Sequence, residues 1–230
     1  MAATQSFDAT LDASTKHTFV VEHMDPELES WQLLEYQTIG SECAAADSRF
    51  LLTGLPKAVP ELALVEQSPK SVDDLVSSAN IPKERVCLLD PRGESDLAPE
   101  DGDMFDVFVF GGILGDDPPR DRTAELRVKG FKGRRLGKEQ LTTDTAARVT
   151  RIVVQDKSRS LVTSSAFDLN VDIPSVPLAE VPYVDRPSIQ VSTSESVEMP
   201  FKYVRGKDGK PIMPEVRLHS FVARIESSVY

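Results

Sequence analysis

The chain has 230 residues, 40% of them hydrophobic and 27% charged, with a net charge of −11. That length suits one sizeable domain with an appended segment, and the apolar content suffices for a buried core. The acidic balance argues against a general nucleic-acid binder, which needs a basic field. No run approaches the roughly 18 to 20 apolar residues of a membrane span.

In chain order, residues 1–16 are acidic and rich in Ala, Thr and Ser, without the basic-then-apolar pattern of a signal peptide; a disordered leader is expected. Thr18 to Glu22 reads as a buried strand. Ser30 to Ala46 carries Trp31, Leu34, Tyr36, Ile39 and Cys43 near helical spacing, with Glu29 and Ser30 at its start. Arg49 to Leu55 is a second strand, and Pro56 to Pro69 a proline-punctuated loop. Ser71 to Ala79 is a short helix opened by Ser71, Asp73 and Asp74. Arg85 to Asp90 is a third strand, stopped by Pro91-Arg92-Gly93, and Phe105 to Phe110 is aromatic, β-branched and nearly continuous, as in a parallel sheet covered on both faces. Asp121 is a candidate N-cap for a helix reaching Val128. Gly133 to Leu136 is a short strand, and Thr142-Thr143 open a helix running to about Asp156. Strands alternating with helices predict an α/β fold with a mostly parallel sheet over residues 17–157. Residues 158–230, with seven prolines from Pro174 to Pro214, predict an irregular arm with short strands, partly packed on the core.

Charge is unevenly spread. Asp90 to Glu125 holds eleven carboxylates against Arg92, Arg120 and Arg122, a local balance of −8; Arg127 to Lys138 then holds six basic residues and no acid. The plain expectation is two solvated faces. Cys43 and Cys87 read as small buried residues of a reducing, cytoplasmic compartment, and the three scattered histidines predict no metal site.

Three strand-end loops gather the functional interest: Leu88 to Arg92, Phe110 to Asp116, and Arg134 to Gly137 continuing through Gln140 to Ala146. Ligands of open α/β sheets sit beyond the carboxyl ends of strands, where glycines let backbone approach a ligand and adopt positive φ. Alone, Gly111-Gly-Ile-Leu-Gly115 is explained equally well by a tight turn. Its spacing matches neither the dinucleotide-binding nor the P-loop pattern.

Taken together, these runs resemble a known family. Val86-Cys-Leu-Leu-Asp-Pro-Arg92, Phe105 to Asp116, Pro118-Pro-Arg-Asp-Arg-Thr123, Arg135-Leu-Gly137 and Thr142 to Ala146 are similar to the SPOUT-class arginine methyltransferases of ribosomal protein, the Sfm family. Glu22-His-Met24, Glu198-Met-Pro-Phe201 and Gly209-Lys-Pro-Ile212 extend the resemblance from about Phe19 to Pro214. The resemblance implies a deep trefoil knot in the C-terminal half, which composition and periodicity cannot reveal. It also implies S-adenosylmethionine as cofactor, held by Leu88, Leu89, Pro91, Phe110, Gly111, Gly112, Ile113, Leu114, Gly115, Arg135, Leu136, Gly137, Leu141, Thr142 and Thr143. On the residues alone, the aliphatic members read as core.

The implied reaction is displacement at a sulfonium methyl by a guanidinium nitrogen, which requires positioning and no metal. Two cations meet: at ~4 Å their repulsion is about 4 kcal/mol at an effective dielectric of 20. A carboxylate facing the cleft offsets that repulsion, grips the planar fork and takes up the proton. Asp116, Asp117 and Asp121 stand just beyond the cofactor loop, with Asp116 the first candidate and Glu198 of the arm a further one. Arg120 and Arg122 either neutralise these aspartates or meet the cofactor carboxylate. Glu22 and His23 read as buried strand-end residues or as part of the cleft lining. The expected partner is a basic ribosomal protein of the small subunit, monomethylated on arginine by a monomeric enzyme with no membrane association. Two other readings stand beside it: a SPOUT RNA methyltransferase using Arg127 to Lys138 on phosphate, and a non-catalytic nucleotide-binding assembly factor.

Overall fold

The computed structural model describes residues 7–12, 14, 17–62, 65–112, 121, 123–155, 176–190 and 196–214. The chain divides between Val181 and Pro182 into two compact units. In the first, seven strands form one wholly parallel sheet: β1 (Thr18–His23), β2 (Arg49–Thr53), β3 (Glu66–Gln67), β4 (Val86–Leu89), β5 (Ser95–Asp96), β6 (Val107–Gly112) and β7 (Lys132–Arg135). Their order across the sheet is β3-β2-β1-β6-β4-β7-β5. Among the described residues five α-helices accompany them: α1 (Ser30–Ala45), α2 (Val72–Ser78), α3 (Asp101–Met104), α4 (Ala124–Arg127) and α5 (Thr143–Val154).

The sheet is covered on both faces, which is why β1, β4 and the body of β6 are apolar without alternation. Val20, Leu51, Val86, Leu88, Val107 and Val109 form one core with Val72, Leu75 and Val76 of α2 and Leu126 of α4. Towards the other face Phe19 stacks on Phe108 at 5.7 Å, and Phe105 meets Phe108 edge-on at 6.2 Å. There α1 packs on β2 and α5 on β6, burying Tyr36, Ile39, Cys43, Val149 and Val153. Each such side chain contributes about 1.5–3 kcal/mol by leaving water, so these two layers dominate stability. Cys43 and Cys87 are free and buried. Burial pushes the Cys43 thiol up to about 12 and raises that of Cys87 as well, so neither is a ready nucleophile.

Local signals account for the helix starts. The Glu29 N–H donates to Gln32 Oε1 (3.0 Å) at the head of α1, and Ser71 Oγ accepts the Asp74 N–H (3.2 Å) at the head of α2. Three expectations change. Asp121 is not an N-cap: α4 begins at Ala124 with Thr123 in the cap position. Residues 7–12, assigned to a disordered leader, are ordered: the Ala9 N–H donates to the Gln67 carbonyl (3.0 Å) and Leu11 joins the core. The loops after β2 and β4 hold β3, β5 and α3, which the sequence did not announce.

The second unit contains two antiparallel pairs among its described residues. β8 (Tyr183–Val184) pairs with β11 (Tyr203–Val204), and β9 (Ser188–Gln190) with β10 (Ser196–Glu198). Glu198 ends β10 with its side chain exposed, and Lys202 Nζ lies 4.5 Å from the Tyr183 ring centroid.

Candidate functional site

Because every strand of the sheet is parallel, all seven carboxyl ends reach the same edge of the first unit. β1 delivers Glu22 and His23 there, β6 delivers Gly111 and Gly112 in register with them, β4 delivers Leu89 and Asp90, and β7 delivers Arg135 to Gly137. The Asp90 N–H donates to the Arg134 carbonyl (2.9 Å), and the Leu97 N–H to that of Arg135 (3.0 Å). The predicted loops of β4 and β7 are therefore stitched together at that edge.

The predicted cofactor residues separate into two groups. Leu88, Leu89, Phe110, Gly112, Thr142 and Thr143 are buried foundation; Pro91, Gly111, Arg135, Leu136, Gly137 and Leu141 retain exposed surface. Leu88 is fully enclosed in the core beneath the sheet. Ile113, Leu114, Gly115, Asp116, Asp117, Arg120 and Arg122 lie outside the described residues. Gly112 is glycine for a different reason from the one its motif suggested. A Cβ there would lie 2.5 Å from the Tyr36 hydroxyl and 2.6 Å from Val21 Cγ1, so it makes room for α1 and β1. Gly137 has φ +90° with no atom within 4 Å of an added Cβ; there the conformation itself selects glycine.

The residues that end β1 are tied inward. Glu22 accepts hydrogen bonds from Thr53 Oγ1 (2.5 Å) and from the Val72 N–H (2.8 Å), the latter joining it to the start of α2; burial raises its carboxyl above the ordinary range. His23 Nδ1 lies 3.2 Å from the Tyr36 hydroxyl, while its buried Nε2 has no partner among the described residues. Burial lowers the His23 pKa and keeps the ring neutral.

Charge is arranged differently from two solvated faces. The acidic and basic blocks pair with each other. Arg127 grips Asp90 through Nε (2.6 Å) and Nη2 (3.1 Å) and reaches Asp121 through Nη2 (2.8 Å), while Arg92 meets Asp121 at 2.9 Å. Arg134 Nε donates to both oxygens of Asp101 (3.0 Å), and Arg135 Nε to Asp96 (2.5 Å). For Asp90, burial pushes the pKa up, but the Arg127 fork, the Arg92 N–H and Thr123 outweigh it and hold the carboxyl below its ordinary value. Asp121 is likewise held low, chiefly by Arg127. Both are committed carboxylates. Of the six bases from Arg127 to Lys138, at least three spend their charge within the chain, which weakens the case for them as a phosphate cradle.

No sequence motif marks the group beneath the start of α5. Glu35 of α1 accepts the Thr143 N–H (3.2 Å) at the helix head, and the Thr142 hydroxyl donates to Asp144 Oδ1 (2.7 Å). Among the described residues no cluster of three or more His, Cys, Asp or Glu side chains is arranged to hold a metal ion.

A family model described as "Protein arginine N-methyltransferase SFM1-like" matches residues 18–227. The protein arginine N-methyltransferase SFM1 of Saccharomyces cerevisiae is 38% identical over 212 residues, covering 86% of this chain and 90% of that protein. The crystal structure of the yeast arginine methyltransferase SFM1 complexed with SAH superposes at a TM-score of 0.72 with 36% identity, over 88% of this chain and 93% of that one. The same yeast enzyme complexed with SAM gives 0.73 with 34% identity, over 92% of each chain. The expected α/β fold of SPOUT type, with its parallel sheet, is thereby shown. A match running nearly the length of both chains settles the family: this protein belongs to the SFM1-like protein arginine N-methyltransferases.

Proposed function

We propose that this protein transfers a methyl group from S-adenosylmethionine to arginine, and that its substrate is a basic protein of the small ribosomal subunit, monomethylated. The observation that carries the reading is the near end-to-end match to the yeast protein arginine N-methyltransferase, which is crystallised with SAM and with SAH. The partly open loop residues Pro91, Gly111, Arg135 to Gly137 and Leu141 are the parts of this chain assigned to hold the cofactor. Backbone groups released by tight turns would read the adenine edge, and Leu136 and Leu141 would pack the ring. The deep trefoil knot of this class belongs to the proposal as well.

The chain's own chemical task is to bring a guanidinium up to a sulfonium. Asp121 is the wrong carboxylate for that, because two arginines already neutralise it. Asp116 and Asp117, which follow β6 in the sequence, take the role in this reading, with Asp116 assigned to the guanidinium. Glu198 remains a further carboxylate assigned to the substrate. The paired basic block supports a polypeptide rather than an RNA acceptor. The buried free thiols suit a reducing, cytoplasmic compartment, where the enzyme acts as a monomer.

The test is incubation of the full chain with labelled S-adenosylmethionine and dissociated small ribosomal subunits. Label is expected in one small basic protein, at one methyl per arginine by mass spectrometry, and it should survive ribonuclease. Label lost on RNA digestion, or dimethylated arginine as the main product, would overturn the substrate or the product claim respectively.

A further inference from the structure

The outer edge of β3 carries a segment that lies outside the family match. Residues 7–12 read Phe-Asp-Ala-Thr-Leu-Asp, and the matched residues begin at Thr18. Phe7, Ala9 and Leu11 are buried or half-buried, while Asp8, Thr10 and Asp12, which alternate with them, are exposed. That period of two belongs to an extended segment with one apolar face. Ala9 and Leu11 pack on the core cluster that holds Leu51, Val72 and Leu75. Asp12 then accepts the Ser14 N–H and hydroxyl (both 2.8 Å), a local turn that ends the extended course.

β3 is the end strand of the sheet. The Ser68 N–H points inward to the Leu52 carbonyl (2.9 Å), so by the alternation of a strand the Gln67 carbonyl turns outward. The Ala9 N–H donates to that carbonyl (3.0 Å). Arg49 Nη2 donates to the Thr10 carbonyl (2.5 Å), and Lys70 Nζ meets Asp8 at 3.2 Å. Apolar surface, an outward backbone acceptor and two cations thus form one seat, and an acidic segment with alternate apolar residues lies in it. Each part of the seat is also fixed by other partners. The Gln67 side chain bonds Val59 and Leu62, Arg49 grips Glu66 through Nε (2.8 Å), and the Lys70 carbonyl accepts the Gly54 N–H (3.0 Å). The segment itself is fastened by the Ala9 amide, the Arg49 contact, an exposed ion pair and the buried Leu11 side chain. Salt screens the ion pair, and the entropy of ordering the backbone opposes the rest.

We propose that the β3 edge is a docking seat for an acidic, amphipathic extended segment of a partner protein, and that residues 7–12 are its tethered, exchangeable occupant. Strand addition of this kind takes its hold from main-chain hydrogen bonds and its selectivity from alternate side chains. Here the Gln67 carbonyl supplies the first, and the core cluster with Arg49 and Lys70 supplies the second. A tethered occupant acts at an effective concentration of about millimolar, so a free segment enters only once the chain's own segment lets go. β3 and β2 stand on the far side of β1 from β6, so docking there does not depend on the methyl-transfer reading.

The experiment uses the full chain, isotope-labelled for NMR, as wild type and as Leu11→Ser, with a synthetic peptide spanning residues 5–14 as the probe. Leu11→Ser removes the buried anchor, so limited proteolysis should cut within residues 7–12 faster than in wild type. The peptide should then shift the amides of Gln67, Ser68 and Lys70, with an affinity at least about tenfold higher for Leu11→Ser than for wild type. A peptide carrying the same Leu11→Ser change should not bind. Should Leu11→Ser fail to fold, Ala9→Pro gives the same comparison, because it removes the N–H given to Gln67 and leaves Leu11 in place. A released segment with no peptide binding overturns the proposal, as does equal binding to wild type or shifts confined to other parts of the chain. Unchanged protection of residues 7–12 in both variants overturns it too, since the occupant would then not exchange.

Discussion

At Gly112 even an alanine methyl would press on the Tyr36 hydroxyl and Val21, forcing α1 away from β1. Gly112→Ala should therefore lower stability by about 1–3 kcal/mol in chemical denaturation, whether or not cofactor is present. Gly137→Ala meets no neighbour, so only the left-handed backbone resists it; a loss of about 1 kcal/mol is expected, with the fold intact. Equal losses at both positions would contradict this division between a packing glycine and a conformational one. At Asp116 charge matters rather than space. Asp116→Asn keeps the shape, so cofactor affinity should stay near wild type while single-turnover transfer falls about 10²–10³-fold. Near-normal transfer would remove Asp116 from the mechanism and pass the role to Asp117.

α4 is a single turn, too short to persist by propensity. Leu126 anchors it in the core and Arg127 clamps it to Asp90, whose side chain is 2% exposed. Arg127→Ala strands that carboxylate with only Thr123 and the Arg92 N–H, so a loss of about 2 kcal/mol is expected, discounted because Arg127 itself is a third exposed. The acid limb should change too. Carboxyls held low stabilise above their unfolded value near 3.9 and lose that stabilisation as pH falls below it, so melts between neutral and acid pH should show a shallower drop in Arg127→Ala than in wild type. At this scale the sequence was informative where side chains repeat with a period. α1, α2, α5, β1, β4 and β6 are long or apolar enough to announce themselves. β3 and β5 are two residues each and exist only because Leu52 and Arg134 lie beside them, while α3 depends on Asp101 accepting the Ala98 N–H (2.9 Å). Asp121 looked like a cap because the residue type permits it; Arg92 and Arg127, closing from other elements, decide otherwise.

Across the whole molecule, the charge blocks that look like separate faces in sequence neutralise one another in space, a pairing that only the sheet order brings about. The glycine loops of the candidate site were legible because their spacing is local. Glu35 was not, since the amide it accepts belongs to Thr143, more than a hundred residues further on. The same sheet order governs how the chain is made. Thr18 is in register with Arg49 on one side and with Val107 on the other, so β1 lies inside the sheet but waits for β6 to complete its pairing. At ~5–20 residues per second, on the order of ten seconds of synthesis separate β1 from β6. Throughout that interval Phe19, Val20 and Val21 present an unpaired apolar edge, and the nascent chain is exposed to mispairing and to chaperone capture until β6 arrives to close it.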